Sequence, residues 1–398
     1  MSKVYLIDGG RTPITRFGGT FRDLSGTDLA TAAARGVLER TGVEPAAIEH
    51  VVGGSVLQNM AESNPARIVS QRIGVPDASP AYTVHMQCAS GMVAFIKAAQ
   101  AIALGDAEVA LALGQESMSN APFTVAGARW GLRLQHGQFT DALKECTLAG
   151  SHGWGEPWYM IDVAEHHAEV DTVSREDMDA YAVESHHKAA AAQAAGRLAP
   201  EIVPVEVAVK GGTRMVSADE HIRPDASVES LRELSPIKPG GVITAGNASG
   251  INDGGAAALL CSADAVKRLG VEPLAEFDVS HSAMVGCDPY LMGYSAVDAV
   301  NKVLDRAQLG LGDLDLIECN EGFGVQGVAC ERLGKWPTER VNVDGGSIGL
   351  GHPVGMSGLR IVIHLAQALR QRNLRRGIAT VPAGSGLGSA VVLHAAGA

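Results

Sequence analysis

Residues 345–369 read GGSIGLGHPVGMSGLRIVIHLAQAL, and residues 87–102 read QCASGMVAFIKAAQAI. Each stretch places a reactive side chain, His352 or Cys88, just upstream of a Gly-Met step. Each then continues with apolar residues at helical spacing. The correspondence implies a duplicated α/β unit in which Cys88 and His352 hold related helix-start positions. Pseudo-symmetric packing would bring both to one central site.

The flanking sequence supports two such halves. Residues 4–7 are strand-like and end at Gly9–Gly10, residues 28–40 have helical spacing, and residues 51–56 are again strand-like. The helix pattern at 91–104 leads into the apolar strand 109–113. The C-terminal part repeats the order, with helical patterns at 296–307 and 356–369 and strand-like runs at 314–317, 378–381 and 390–393. Strands alternating with helices predict a largely parallel sheet covered on both faces. Between the halves, residues 121–240 are richer in His, Trp, Gly and polar residues and carry a helix pattern at 174–193. Such an insertion reads as a loop domain lying over a site.

The chain has 398 residues, of which 46% are hydrophobic, 4% aromatic and 19% charged, with 48 glycines. This suits an α/β protein with many tight turns and excludes a disordered chain or a coiled coil. A net charge of −12 argues against a general nucleic-acid surface, which needs Lys and Arg to replace phosphate counterions, yet leaves room for a local basic patch. The start, MSKVYLIDGGRTP, lacks a charged segment followed by a long apolar stretch, and no run of about 18 apolar residues is read as a membrane span. A cytoplasmic location is expected. The six cysteines lie far apart with no CxxC pair, so neither a zinc site nor a disulfide framework is expected. Most of them suit the role of a small buried hydrophobe.

Cys88 is different, because its segment HMQCASG lies at a strand-to-helix turn. There the free N–H groups at the start of the helix would favour its thiolate, and small neighbours would admit a bulky thioester. The glycines around His352 let the backbone pass close to a ligand, and Pro353 suits a helix start. This histidine is placed to take a proton from a thiol or to donate to a thioester oxygen. Neither the lysine of a phosphate-binding loop nor a dinucleotide fingerprint is present. Asn320, in CNEGF, follows a short strand. Residues 383–388, AGSGLG, form a turn suited to offering N–H groups to an oxyanion.

In order along nearly the whole chain, IDGGRTPITRFGG, NPARIVSQRIG, QCASG, GQESMSNAPF, SREDMDAYAVESHHKA, TAGNASGINDGGAA, CNEGFG and GGSIGLGHPVGMSG resemble the thiolase family. The resemblance implies a duplicated five-layered α/β/α/β/α core with an inserted loop domain. It assigns 1–120 plus 241–270 to the N-terminal half, 121–240 to the loop domain over the CoA and substrate site, and 271–398 to the C-terminal half. It also implies an acyltransferase that cleaves a 3-oxoacyl-CoA with CoA, or condenses in reverse, without a tightly bound cofactor or metal. Cys88 would become acylated. His352 would activate the thiol and Asn320 would hold the water of a first oxyanion hole, while the N–H groups of Cys88 and Gly384 would form a second. Ser249 would contact the pantetheine arm and Arg223 the nucleotide end, with Met160 and Phe323 also at the substrate. A homodimer or homotetramer is implied, and some relatives work with a small accessory subunit.

The departures from that pattern matter. Pro382 stands where the family carries a second catalytic cysteine, so the usual acid and base for the enolate is missing. His85 replaces the usual Asn, residues 160–161 read Met-Ile in place of Met-Gly, and Tyr294-Ser295 stands where Gly-Pro is expected. His85, Cys287, Cys319 or a bound water is then the candidate substitute. Trp154, Trp158 and Tyr159 suggest a bulky acyl pocket for an aromatic, steroid or branched substrate. The alternatives are a same-fold acyltransferase to another acceptor, and a catalytically silent acyl-CoA-binding subunit.

Overall fold

A computed structural model describes residues 3–59, 61–149 and 157–397. Strands β1 (Lys3–Arg11), β2 (His50–Gly54), β3 (Ala81–Val84), β4 (Val109–Ser117), β5 (Asn252–Ser262), β6 (Ala275–Asp278), β7 (Ser282–Gly286), β8 (Leu316–Cys319), β9 (Arg376–Ala383) and β10 (Leu387–Ala395) join one sheet. Its order is β8-β9-β10-β6-β1-β5-β4-β2-β3, with β7 pairing beside β10. The main helices are α1 (Gly26–Thr41), α2 (Ser90–Leu104), α3 (Met160–Val170), α4 (Arg175–Ala194), α5 (Tyr294–Ala307), α6 (Gly324–Gly334) and α7 (Val354–Gln371). Capping boxes at Ser25–Asp28 and Ser174–Asp177 start α1 and α4 by satisfying N–H groups that have no partner within the helix.

The two halves of the sheet meet where β1 pairs with β6. Helices α2 and α7 pack together between the halves, while α1 covers the outer face of the N-terminal half and α5 that of the C-terminal half. The result is the expected five-layered α/β/α/β/α arrangement. The largely parallel sheet predicted from the alternation is corrected. Only the β2–β3, β2–β4 and β8–β9 neighbours in this order are parallel, and the rest are antiparallel. The cause is local in one place, since β9 and β10 are joined by the short turn Gly384–Gly386, and a tight connection permits only antiparallel pairing. Elsewhere it is long-range, because β5 returns from a long excursion to run between β1 and β4.

The central layer positions the site. A Cβ on Gly91 would lie 2.7 Å from the backbone nitrogen of Leu359, and one on Gly358 would lie 2.6 Å from that of Met92. The first turns of α2 and α7 therefore cross backbone to backbone, which only glycine permits. Every residue from Gly355 to Leu369 is buried. The expected strand end at Gly9–Gly10 is also corrected, because β1 runs on to Arg11. A side chain on Gly9 would collide with Ile363 of α7, so the glycine marks close packing and not a break. Residues 87–104 are apolar enough to pass for a membrane span by length and composition, a signal the sequence reading did not register. Two-thirds of that stretch (67%) is buried inside the protein, as a core helix.

Candidate active site

Cys88 sits at the end of a clamped turn. The Met86 N–H donates to Ser90 Oγ at 2.8 Å, and the Ser90 hydroxyl donates to the Gln87 carbonyl at 2.7 Å. Gln87 adopts the left-handed region with φ of 48°, which turns the chain sharply before α2 begins. The backbone N–H groups of Gly384 and of Cys88 itself interact with the sulfur.

His352 is held from both sides. Its N–H donates to Asn252 Oδ1 at 2.9 Å, and its Nδ1 lies 2.6 Å from Ser357 Oγ. The Ser357 hydroxyl donates to the Pro353 carbonyl at 2.9 Å, so its oxygen is left as acceptor and Nδ1 carries the ring proton. The Nε2 lone pair then faces Cys88 Sγ at 3.2 Å. Burial, with the Arg360 charge behind it, pushes the imidazole down to about 3, which keeps it neutral. Burial pushes the Cys88 thiol up to about 11, against the opposing pull of the two N–H groups. The resting pair is thus a neutral thiol and a neutral imidazole. The N–H groups favour the thiolate, as expected from the helix start, while desolvation opposes them.

A cavity of about 560 Å³ opens on this pair. Of the residues singled out in the sequence, Cys88, His352, Gly384, Ser249, Arg223, Met160 and Phe323 all line it, as does Pro382. A Cβ on Gly384 would lie 3.2 Å from Met160 Sδ, so the bare glycine keeps the sulfur's surroundings open. Asn320 does not line the cavity. It is buried, its Oδ1 accepts from the Ser347 hydroxyl at 2.7 Å, and its Nδ2 has no protein acceptor. A buried amide donor without a partner is costly, which suits a group that binds a small ligand or water. At the mouth, Arg16 and Arg223 are exposed and neither pairs with a carboxylate among the described residues. Burial and these two arginines push His221, beside them, down to about 4.

Other residues singled out in the sequence lie elsewhere. His85, Cys287 and Cys319 do not line the cavity. Cys319 is buried in β8, and the Cys287 thiol faces the Asp288 and Leu291 carbonyls. Trp158 packs on Tyr290 with ring centres 4.5 Å apart, and neither Trp158 nor Tyr159 lines the cavity; Trp154 lies outside the described residues. What sequence reasoning missed is Cys146, which lines the cavity from the end of the short helix Ala142–Glu145. No local motif marked it. Ser357 was also missed, although its place five residues after His352 on the same helix start was a usable signal.

Two family profiles match the chain: "Thiolase, N-terminal domain" over residues 4–264 and "Thiolase, C-terminal domain" over residues 271–395. An acetyl-CoA acetyltransferase of Chromobacterium violaceum is 39% identical over 394 residues, covering 98% of this chain and 99% of the relative. The crystal structure of human mitochondrial 3-ketoacyl-CoA thiolase superposes with a TM-score of 0.95 at 38% identity, covering 99% of each chain. The same human enzyme in complex with CoA superposes with a TM-score of 0.94 at 37% identity, covering 99% of this chain and 98% of that one.

Proposed function

The chain belongs to the thiolase family and is an acyl-CoA acyltransferase, and from that premise we propose that it acts through an acyl-Cys88 intermediate on a 3-oxoacyl-CoA. The observation that carries this reading is the Cys88–His352 pair at 3.2 Å on the wall of the cavity. In the cleavage direction, the Cys88 thiol gives its proton to His352 Nε2 as its sulfur attacks the 3-keto carbon. The C2–C3 bond breaks, leaving an acyl group on Cys88 and a shorter acyl-CoA as its enolate. CoA–SH then resolves the acyl-cysteine, its thiol proton ending in net on C2 of the enolate, and Cys88 recovers its own proton from His352.

The same proton transfer changes what His352 offers. Once protonated, Nε2 becomes a donor for the thioester oxygen of the enolate, beside a water held by Asn320 Nδ2. The N–H groups of Cys88 and Gly384 serve the oxyanion that forms on the acylated carbon. Arg16 and Arg223 at the mouth suit the phosphates of CoA, with Ser249 along the pantetheine arm, and the CoA complex of the human neighbour supports that use of the cavity. Residues 121–240 serve as the loop domain over the site, as the cavity positions of Thr147, Met160 and Arg223 support.

The acyl group we assign is bulky, aromatic or branched. Its support is a lining that includes Met118, Met160, Met292 and Phe323, because methionine reshapes around irregular apolar ligands. A panel of 3-oxoacyl-CoAs tests this, and a preference for acetoacetyl-CoA would count against it. The covalent step is tested by intact-mass measurement after incubation with substrate. One acyl group is expected on the native chain and none on Cys88→Ala, together with ping-pong kinetics. An adduct surviving in Cys88→Ala sinks the assignment.

A further inference from the structure

The acyl-Cys88 route leaves one chemical need unmet. The enolate leaves with a carbanion at C2 that must be protonated, and Pro382 on the cavity wall has no proton to give. We propose that Cys146, which lines the same cavity, is the acid and base of the carbon–carbon step in this chain. The inference rests on the acyl-Cys88 mechanism.

Several observations converge on Cys146. Among the described residues lining the cavity, the thiols are Cys88 and Cys146, and the other titratable side chains are His352, His221 and the two mouth arginines. His352 is committed to Cys88. Arginine does not release its proton, and His221 is held in the wall with its ring nitrogen 3.3 Å from Asn252 Nδ2. Cys146 lies near enough to Cys88 for their charges to interact. Its position is also fixed, because the Cys146 thiol donates to the Leu143 carbonyl at 3.0 Å. The next residue, Thr147, accepts from the Met160 N–H at 2.7 Å, which ties Cys146 to the methionine beside Gly384.

The electrostatics suit the task. Burial, followed by the charges of Glu116, Cys88 and Asp141, pushes the Cys146 thiol up to about 12, so it rests protonated. In the cleavage direction Cys146 gives its proton to C2 of the enolate, forming the C–H bond of the shorter acyl-CoA and leaving a Cys146 thiolate. That thiolate takes the proton of the incoming CoA–SH, an ordinary thiol near 8.5 and therefore the stronger acid. The CoA thiolate then attacks the acyl group on Cys88, and both cysteines end protonated. No further reactant is needed.

The test separates this step from acylation. Native chain, Cys146→Ala, Cys146→Ser and His221→Asn are compared by acyl labelling of Cys88 and by exchange of the C2 protons of acetyl-CoA in D2O. Cys146→Ala should still carry one acyl group on Cys88 after prolonged incubation with acetyl-CoA, a step that makes no C2 carbanion, yet lose C2 exchange and 3-oxoacyl-CoA cleavage by roughly 10²–10⁴-fold, the usual contribution of a positioned acid and base. Cys146→Ser, with a far weaker acid of similar size, should fold and lose exchange too. Installing Pro382→Cys in the Cys146→Ala chain should restore part of the exchange. Native-like exchange in Cys146→Ala, or loss of exchange only in His221→Asn, overturns the inference. Failure of the native chain to label Cys88 instead overturns the underlying reading.

Discussion

Ser357 decides which nitrogen of His352 faces the nucleophile. Its hydroxyl proton is committed to the Pro353 carbonyl, so the imidazole must donate from Nδ1 and accept at Nε2. Ser357→Ala removes that constraint and leaves Nδ1 without its partner. We expect kcat to fall roughly tenfold with KM little changed, short of the roughly 10²–10⁴-fold a general base contributes. An unchanged kcat would show that the tautomer is set elsewhere. The neutral resting pair carries a second expectation. With Cys88 pushed up to about 11 and His352 down to about 3, iodoacetamide should react with Cys88 slowly at neutral pH and faster as pH rises toward 11. A rate that is already flat from pH 6 would reveal a preformed thiolate.

At the scale of elements, two helices starting beside one another do the positioning. The segments GMVAF and GMSGL were legible as a matched pair, and the structure adds that each contains a glycine at the helix crossing. Gly91 and Gly358 remove the side chains that would hold α2 and α7 apart, and the close crossing brings Cys88 and His352 within 3.2 Å. Gly358→Ala would force a methyl into a space only 2.6 Å from the Met92 nitrogen. A loss of roughly 1–3 kcal/mol is expected from such overpacking. Activity should fall further than the loss of folded protein explains, measured as kcat against a thermal melt. Native kcat in the folded fraction would mean that the crossing does not set the site. Strand β5 is not among the elements read from the sequence. Gly254 and Gly255 lie in the strand where α7 and α1 press on it, one side chain away from Met356 and from the backbone of Leu29.

At the scale of the whole molecule, a buried charge network ties the halves to the segment between them. Arg11 of β1 reaches Glu201 at 2.7 Å and Asp219 at 2.7 Å, and His364 of α7 reaches Glu201 at 2.9 Å. Burial alone would raise the Glu201 carboxyl, but the Arg11 and His364 charges together hold it down at about 2. Burial would lower His364, but Glu201, Glu318 and Asp344 push it up to about 10. The Glu201 contribution is therefore present above about pH 4.5 and is lost as pH falls toward 2. The His364 contribution is full below about pH 6.5 and is lost as pH rises through 10. Melting temperature should peak between these limits. His364→Gln should flatten the alkaline side and cost roughly 3–5 kcal/mol at neutral pH, the usual result of breaking a buried pair. An alkaline slope that survives the substitution would place its origin in another group.

What the sequence determined by itself were the features written in local order: the helices around residues 28–40, 91–104, 174–193 and 356–369, the paired helix starts, and Cys88 and His352 as the residues to watch. Periodicity and turn chemistry act over a few residues, so a single chain displays them directly. The tertiary structure alone decided the antiparallel course of β5, the resting neutrality of the Cys88–His352 pair, and the exclusion of His85, Cys287 and Cys319 from the cavity. It alone also brought Cys146 in. Strand direction, desolvation and cavity lining depend on which distant segments pack together. Cys146 and Cys88 are 58 positions apart, and nothing near either one in sequence records that they share a wall.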